Sequence, residues 1–154
     1  MRARLSSSRR LDVALAVLRT VIGVIFVAHG AQKLFVLGPE AVGAAFGQAG
    51  IPFSGLVAPL IGAAELLGGL ALIAGLTTRL AAAGLAVVML GAILFVHLPS
   101  GFFLPSGIEF ALALLGATAA LALAGPGELS LDAVLARRRP GALPARMVER
   151  RRAA

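Results

Sequence analysis

The chain has 154 residues, enough for one domain, and it is 59% hydrophobic and only 14% charged, with a mean hydropathy of +0.97. A soluble domain carries about 25% charged residues and could not hide so much apolar surface, so the composition predicts an integral membrane protein. The net charge of +7 is concentrated in arginines near the two ends of the chain, and there is no Trp or Tyr, which argues against nucleic-acid binding. The absence of cysteine excludes disulfides, Fe–S clusters and thiolate zinc sites.

Four apolar segments follow one another along the chain, and each is long enough to cross the hydrocarbon core of a bilayer. They cover residues 13–35, 56–76, 80–98 and 108–124. Clusters of Gly, Pro, Ser and Thr separate them, as expected of turns and loops. The predicted fold is therefore all-α, an integral membrane four-helix bundle.

Three further features frame these spans. Asp12 precedes the first span and suits a helix N-terminus. Residues 39–50 have Pro at the start and Gly at the end, which predicts a short helix at the outer surface with Val42 and Phe46 facing the lipid or the bundle. Residues 130–137 predict an amphipathic helix on the cytoplasmic leaflet, and we expect the Arg-rich tail beyond Pro140 to be poorly ordered.

Basic residues predict the orientation of the bundle. Both ends are rich in arginine, the turn between spans two and three holds Arg79, and the third loop has no basic residue. The positive-inside rule then places both termini in the cytoplasm of a bacterial-type cytoplasmic (inner) membrane, with Arg79 as a topology anchor. This gives a basic cytoplasmic N-terminus over 1–12, a membrane domain over 13–127 and a cytoplasmic amphipathic segment and tail over 128–154.

A signal peptide is the alternative interpretation of the first span. Its apolar run is longer than the usual 7–15 residues and contains Arg19, so a retained span is favoured. Arg19 lies near the predicted inner end, where we expect its side chain to snorkel to the lipid headgroups.

Ionisable side chains inside the spans are costly and form the candidate site. The candidates for ligand binding or proton exchange are His29, Lys33, Glu65, His97 and Glu109. Each of the four spans contributes at least one of them, and in the predicted orientation all lie in the outer half of the membrane. A structural interpretation stays open, with His97 and Glu109 at headgroup level, Lys33 snorkelling, and Glu65 a structural partner of Lys33 or His29.

Three functional interpretations fit this cluster. The first is a site for a quinone-like ligand, with His and Lys donating hydrogen bonds to its carbonyl oxygens, a carboxylate exchanging protons, and apolar walls from Phe26, Phe95, Phe102, Phe103 and Phe110. The second is a metal or haem site using His29, His97, Glu65 and Glu109, for which the residue types are suitable but no ligand-pair spacing is present. The third is a proton or substrate path, which in so small a protein would require oligomerisation.

A set of short segments in unbroken order, from about residue 15 to 135, resembles the DoxX family of DoxX/DoxD-like membrane proteins. The segments that carry this resemblance are residues 28–35, 44–46, 50–52, 64–69, 75–82, 96–98, 101–103, 107–110 and 125–132. No single segment is specific to the family, but the ordered set of segments is. The polar positions that match the family are His29, Lys33, Glu65, Arg79, His97 and Glu109.

The resemblance implies a four-helix membrane protein with a redox role, since similar proteins include a quinone-reducing subunit of thiosulfate oxidation and membrane partners of oxidative-stress proteins. We therefore expect an inner-membrane component of a redox or oxidative-stress system, with a quinone as the candidate cofactor near the outer leaflet. Catalysis is left open; if it occurs, an oxidoreductase subunit using quinone is implied. Expected partners are the lipid bilayer and soluble redox enzymes or another membrane subunit, with a homo-oligomer left open. The alternatives are a non-catalytic scaffold for such enzymes and a small proton-coupled transporter.

Overall fold

The computed structural model describes residues 2–138, which form helices joined by turns and loops, with no strand. The helices are α1 (Arg2–Ala31), α2 (Pro39–Gln48), α3 (Ser54–Ala74), α4 (Thr78–Gly91), α5 (Glu109–Ala124) and α6 (Leu131–Arg138). The wider π-helix continues α1 over Gln32–Val36 and α4 over Ala92–His97, and a 3-10 turn follows α4 at Leu98–Ser100.

Three helical stretches are long and apolar enough to span a membrane: Ser8–Val36, Ser54–Ala74 and Thr78–Ser100. The fourth apolar helix, α5, has 16 residues and is therefore only about 24 Å long at 1.5 Å per residue. The predicted all-α membrane bundle is confirmed, with one shorter member.

The bundle has two ends, which position the site. The termini end contains the turn between α3 and α4 and the end of α5. The loop end contains the end of α1, the start of α3 and the loop before α5. Helix α1 packs most extensively on α3, and α4 on α5.

Glycine allows α1 and α3 to touch backbone to backbone. A Cβ atom on Gly69 would lie 2.6 Å from the carbonyl oxygen of Gly23, and one on Gly30 would lie 2.5 Å from the backbone nitrogen of Leu66. Small residues are the usual means of such close helix approach in membranes. This seam fixes α1 and α3 as one unit of the bundle.

The apolar core fills the space between the α1–α3 and α4–α5 pairs. Its most deeply buried side chains are Phe26, Leu72, Leu85 and Leu121. Above this core, towards the loop end, a cavity lies between the two helix pairs.

Arg19 does not snorkel to the headgroups, contrary to the prediction. Its side chain is only 5% exposed, and it donates hydrogen bonds to the carbonyl oxygens of Leu72 (3.0 Å), Ile73 (2.7 Å) and Leu129. The last carbonyl groups of a helix have no N–H partner within the helix, and in α3 the guanidinium of Arg19 donates hydrogen bonds to two of them.

Asp12 does not start a helix, because α1 already begins at Arg2. Hydropathy marks the apolar part of a helix and not its first turn, which explains the error. The carboxylate of Asp12 instead accepts a hydrogen bond from the backbone N–H of Glu128, 3.0 Å away, and so connects α1 to the segment that leads into α6.

Helix α6 is held against the turn between α3 and α4 by Asp132. Its carboxylate accepts hydrogen bonds from the backbone N–H groups of Thr77 (2.7 Å) and Thr78 (2.9 Å), and its own N–H donates to Gly75 (2.9 Å). Partial burial alone would raise the pKa of Asp132, but the two N–H donors and the charge of Arg19 outweigh it and lower that pKa. The predicted disorder of the tail beyond Pro140 concerns residues outside the described range.

Candidate functional site

A buried ion pair joins α1 to α3 at the loop end. Lys33, on the π-helical end of α1, places its Nζ 2.5 Å from Oε2 of Glu65, in the middle of α3. The side chains are 20% and 3% exposed, respectively. A carboxylate buried to this degree requires a partner, and Lys33 supplies it, so Lys33 does not snorkel outwards.

A cavity of about 310 Å³ lies beside this ion pair, between the two helix pairs. Its polar lining comes from His29, Lys33, Glu65 and His97. Its apolar lining includes Phe26, Phe46, Ile51, Val57, Ile61, Val87, Val88, Met89, Ala92, Phe95, Val96, Phe110 and Leu114. The site is thus an apolar chamber with a small group of polar side chains from three helices, the usual composition of a small-molecule site.

Both histidines are positioned by contacts at the loop end. The ring of His29 lies against that of Phe110, with centroids 6.1 Å apart and planes tilted by 42°. Nδ1 of His97 lies 2.9 Å from the carbonyl oxygen of Ser106. Because a carbonyl only accepts, Nδ1 of His97 must be the donor, which leaves Nε2 to accept a hydrogen bond when the ring is neutral.

Two of the polar side chains that match the family do not line the cavity: Glu109, which was predicted to, and Arg79, which was not. Glu109 does not line the cavity; its Oε1 accepts a hydrogen bond from the backbone N–H of Leu104, 2.6 Å away, and stabilises the loop before α5. Arg79 lies at the termini end beside Gly125, away from the cavity.

The aromatic walls differ from those predicted. Phe26, Phe95 and Phe110 line the cavity. Phe102 and Phe103 instead pack on each other edge-to-face in the loop, with ring centroids 5.2 Å apart. Phe46 of α2 also lines the cavity, a wall position that its sequence did not predict. Its four-residue spacing from Val42 indicated one helix face, but not whether that face met lipid or the bundle.

Metal ligation finds no support in this geometry. Within residues 2–138, no three His, Asp or Glu side chains come together in a way that could hold a metal ion. Glu109 in particular accepts a hydrogen bond from Leu104 and does not line the cavity with the other three candidate ligands.

Fold and site together define a class: small helical membrane proteins with a ligand-sized cavity beside a buried ion pair. The DoxX family model matches residues 14–98, more than half of the chain. The chain belongs to the DoxX family.

Two curated proteins are similar to this chain over most of their length. One is "Putative oxidoreductase CatD" of Bacillus subtilis (strain 168), 34% identical over 125 residues, covering 81% of this chain and 89% of that protein. The other is "Uncharacterized membrane protein Rv3486" of Mycobacterium tuberculosis (strain ATCC 25618 / H37Rv), 33% identical over 133 residues, covering 79% of this chain and 80% of that protein. No solved structure matches the chain significantly.

Proposed function

We propose that this DoxX-family protein is the membrane component of a redox system and binds a quinone-like ligand in the cavity beside Lys33 and Glu65. The observation that carries the proposal is the coincidence of a buried ion pair with an apolar, ligand-sized cavity. The name of the Bacillus subtilis relative, an oxidoreductase, supports the redox class.

The residues present fit such a ligand. A cavity of about 310 Å³ lies at the lower end of the 300–1,000 Å³ that is typical of small-molecule sites, which suits a single ring. Apolar side chains cover most of its wall, and the few polar groups are of the types that recognise carbonyl oxygens.

Each polar side chain has a role that its chemistry allows. Lys33 donates hydrogen bonds only, so its ammonium is suited to a carbonyl oxygen of the ring. His29 lines the same cavity and is a second donor. Glu65 is suited to hold and release a proton next to that oxygen. Reduction of a quinone takes two electrons and two protons. In this proposal the chain supplies binding and a proton path, and the electrons come from a soluble or membrane-bound oxidoreductase partner.

The proposed orientation places the loop end outside and both termini in the cytoplasm of a bacterial-type inner membrane. The basic residues at the termini and Arg79 support it through the positive-inside rule. The ligand would then lie in the outer half of the bilayer.

The test is direct binding of a ubiquinone or menaquinone analogue to the full chain in lipid nanodiscs, followed by native mass spectrometry. We expect one bound quinone per chain and at least about a tenfold loss of affinity in Glu65→Gln, equivalent to about 1.4 kcal/mol. Glu109→Gln is the matched control, because Glu109 is a second glutamate in a helix of the bundle but does not line the cavity. Thermal unfolding of each variant checks that it is folded.

Two results would overturn the proposal. One is that the wild type binds neither quinone class. The other is that Glu65→Gln and Glu109→Gln, both folded, lower affinity equally, because the cavity would then not be the binding site.

A scaffold for soluble redox enzymes is the second candidate, and α6 favours it. This helix is bound to the bundle through Asp132, yet it exposes Leu131 (47%), Val134 (40%) and Leu135 (51%) beside Arg138. Cross-linking in intact membranes would test it: a captured oxidoreductase should be lost in Leu135→Glu and kept in Glu65→Gln. The reverse pattern would contradict the scaffold.

A further inference from the structure

We infer that the cavity opens sideways into the lipid between α3 and α4, so that its ligand enters from the membrane and leaves a long apolar tail there. The inference deepens the proposed function and rests on it for the identity of the ring. It adds the route of access and the class of ligand: a lipid-soluble molecule with one polar ring and a long chain.

The α4 side chains that line the cavity extend from the core face of the helix to its lipid face. Met89, one of them, is buried in the core. Val87 and Phe95 also line the cavity, but they are 70% and 46% exposed. At 100° per residue, Val87 and Gly91 lie on nearly the opposite side of the helix from Met89. The cavity is therefore not enclosed by α4 but continues around it to the outer surface of the bundle.

The facing wall of this opening is α3. Val57 and Ile61 of α3 line the cavity and are half-buried. Nearer the termini end, α3 and α4 are in close contact, since a Cβ on Gly68 would lie 3.1 Å from the side chain of Leu85. The two helices thus close the cavity on the side of the core and leave it open nearer the loop end.

The opening lies within the hydrocarbon layer. Val87 is nine residues after Thr78, about 14 Å along the helix at 1.5 Å per residue. The span Thr78–Ser100 has 23 residues, so Val87 lies near its middle. At this depth the neighbour of an exposed valine is a lipid chain, and a ligand that passes it comes from the bilayer.

The size of the cavity determines how much of the ligand it holds. A volume of about 310 Å³ suits a ring with a few attached carbons, because an apolar cavity of about 150 Å³ already accommodates benzene. A polyprenyl chain does not fit beside the ring. Its place is the apolar groove that leads past Gly91 to the lipid.

A pair of glycines on α4 provides a matched test. A Cβ on Gly91 or on Gly84 would meet no atom within 4 Å, so larger side chains fit at both positions. Seven residues separate the two, which places them on one helix face, but only Gly91 lines the cavity. Gly91→Leu should lower the affinity for a polyprenyl quinone in nanodiscs at least tenfold, and Gly84→Leu should leave it unchanged.

The path of the tail is mapped separately with a quinone that carries a photoreactive diazirine near the end of a long chain. After irradiation of the wild type, peptide mass spectrometry should locate the label on the lipid faces of α3 and α4, around Val87 and Gly91. Label on α2 or on the loop before α5 would place the tail at the loop end and overturn the inference.

The outcomes separate this inference from the proposed function. If the wild type binds no quinone, the proposed function fails and the inference fails with it. If the wild type binds quinone but Gly91→Leu and Gly84→Leu behave alike, the sideways opening is wrong and the quinone site remains.

Discussion

Replacement of Lys33 by Met should destabilise the protein strongly, and more than replacement of Glu65 by Gln. Met keeps the apolar length of the lysine side chain but removes the ammonium, so the carboxylate of Glu65, 3% exposed, is left without its partner at 2.5 Å. Removing one partner of a buried ion pair costs about 3–5 kcal/mol, because an uncompensated charge remains.

The opposite change is expected to be milder. In Glu65→Gln the unpaired group is Lys33, whose side chain is 20% exposed and can retain part of its hydration. The amide oxygen of Gln also still accepts a hydrogen bond from the ammonium. We expect the free energy of unfolding to fall by about 1–3 kcal/mol, the usual cost of a poorly satisfied polar group.

The assay is thermal unfolding in detergent, followed by circular dichroism. A change of 1 kcal/mol corresponds to about 2–4 °C for a domain near this size, so Lys33→Met should lower Tm by roughly 6–20 °C. In the double variant Lys33→Met/Glu65→Leu no charge is left buried, and much of the loss should be recovered. If the single variants Lys33→Met and Glu65→Leu each shift Tm by less than about 2 °C and their effects add in the double variant, the pair is not coupled and the reasoning is refuted.

Three further predictions concern the termini end and the helix seam. Arg19→Met removes the donor to the carbonyl oxygens that end α3, and should cost about 3 kcal/mol, as expected for a strong charged hydrogen bond; an unchanged Tm would contradict this. The pKa of Asp132 is lowered in the folded state, so this carboxylate contributes stability above about pH 4, and the contribution is lost as the pH falls through the folded pKa. The Tm values of wild type and Asp132→Asn should therefore converge in acid. A difference in Tm that stays constant with pH would contradict the assignment. Gly30→Ala would place a Cβ 2.5 Å from the α3 backbone and should lower the free energy of unfolding by about 1–3 kcal/mol. Gly116→Ala is the control, because its Cβ would meet no atom within 4 Å, and it should be neutral or slightly stabilising. Equal effects of the two substitutions on thermal unfolding would contradict the close contact between α1 and α3.

The family and the helical membrane fold could be predicted from the sequence because both depend on local properties. Uninterrupted apolar runs can only satisfy their backbone polar groups in a membrane as helices, and Gly and Pro clusters mark where these helices end. The unusual cost of ionisable residues in such runs also singles out His29, Lys33 and Glu65 without any knowledge of the fold.

Which of these side chains meet depends on how the helices pack. Position along a span gives a residue's depth but not the direction in which its side chain points across the bundle. Glu109 has a depth similar to that of His97, yet it turns to Leu104 while His97 lines the cavity. In the same way, Phe46 reaches the cavity from a short helix, and Phe102 and Phe103 pair with each other in a loop.

The termini end shows the same division between local and long-range information. By sequence alone, an arginine in the first turns of a span, such as Arg19, is free to extend to the headgroups. In the folded chain the last carbonyls of α3 and the carbonyl of Leu129 lie within its reach and hold it inside. These acceptors are more than fifty residues away in the chain. The helices, their apolar character and the short set of costly polar residues follow from local sequence. The contacts among those residues form only when the helices pack, because each contact depends on a partner that is distant in the chain.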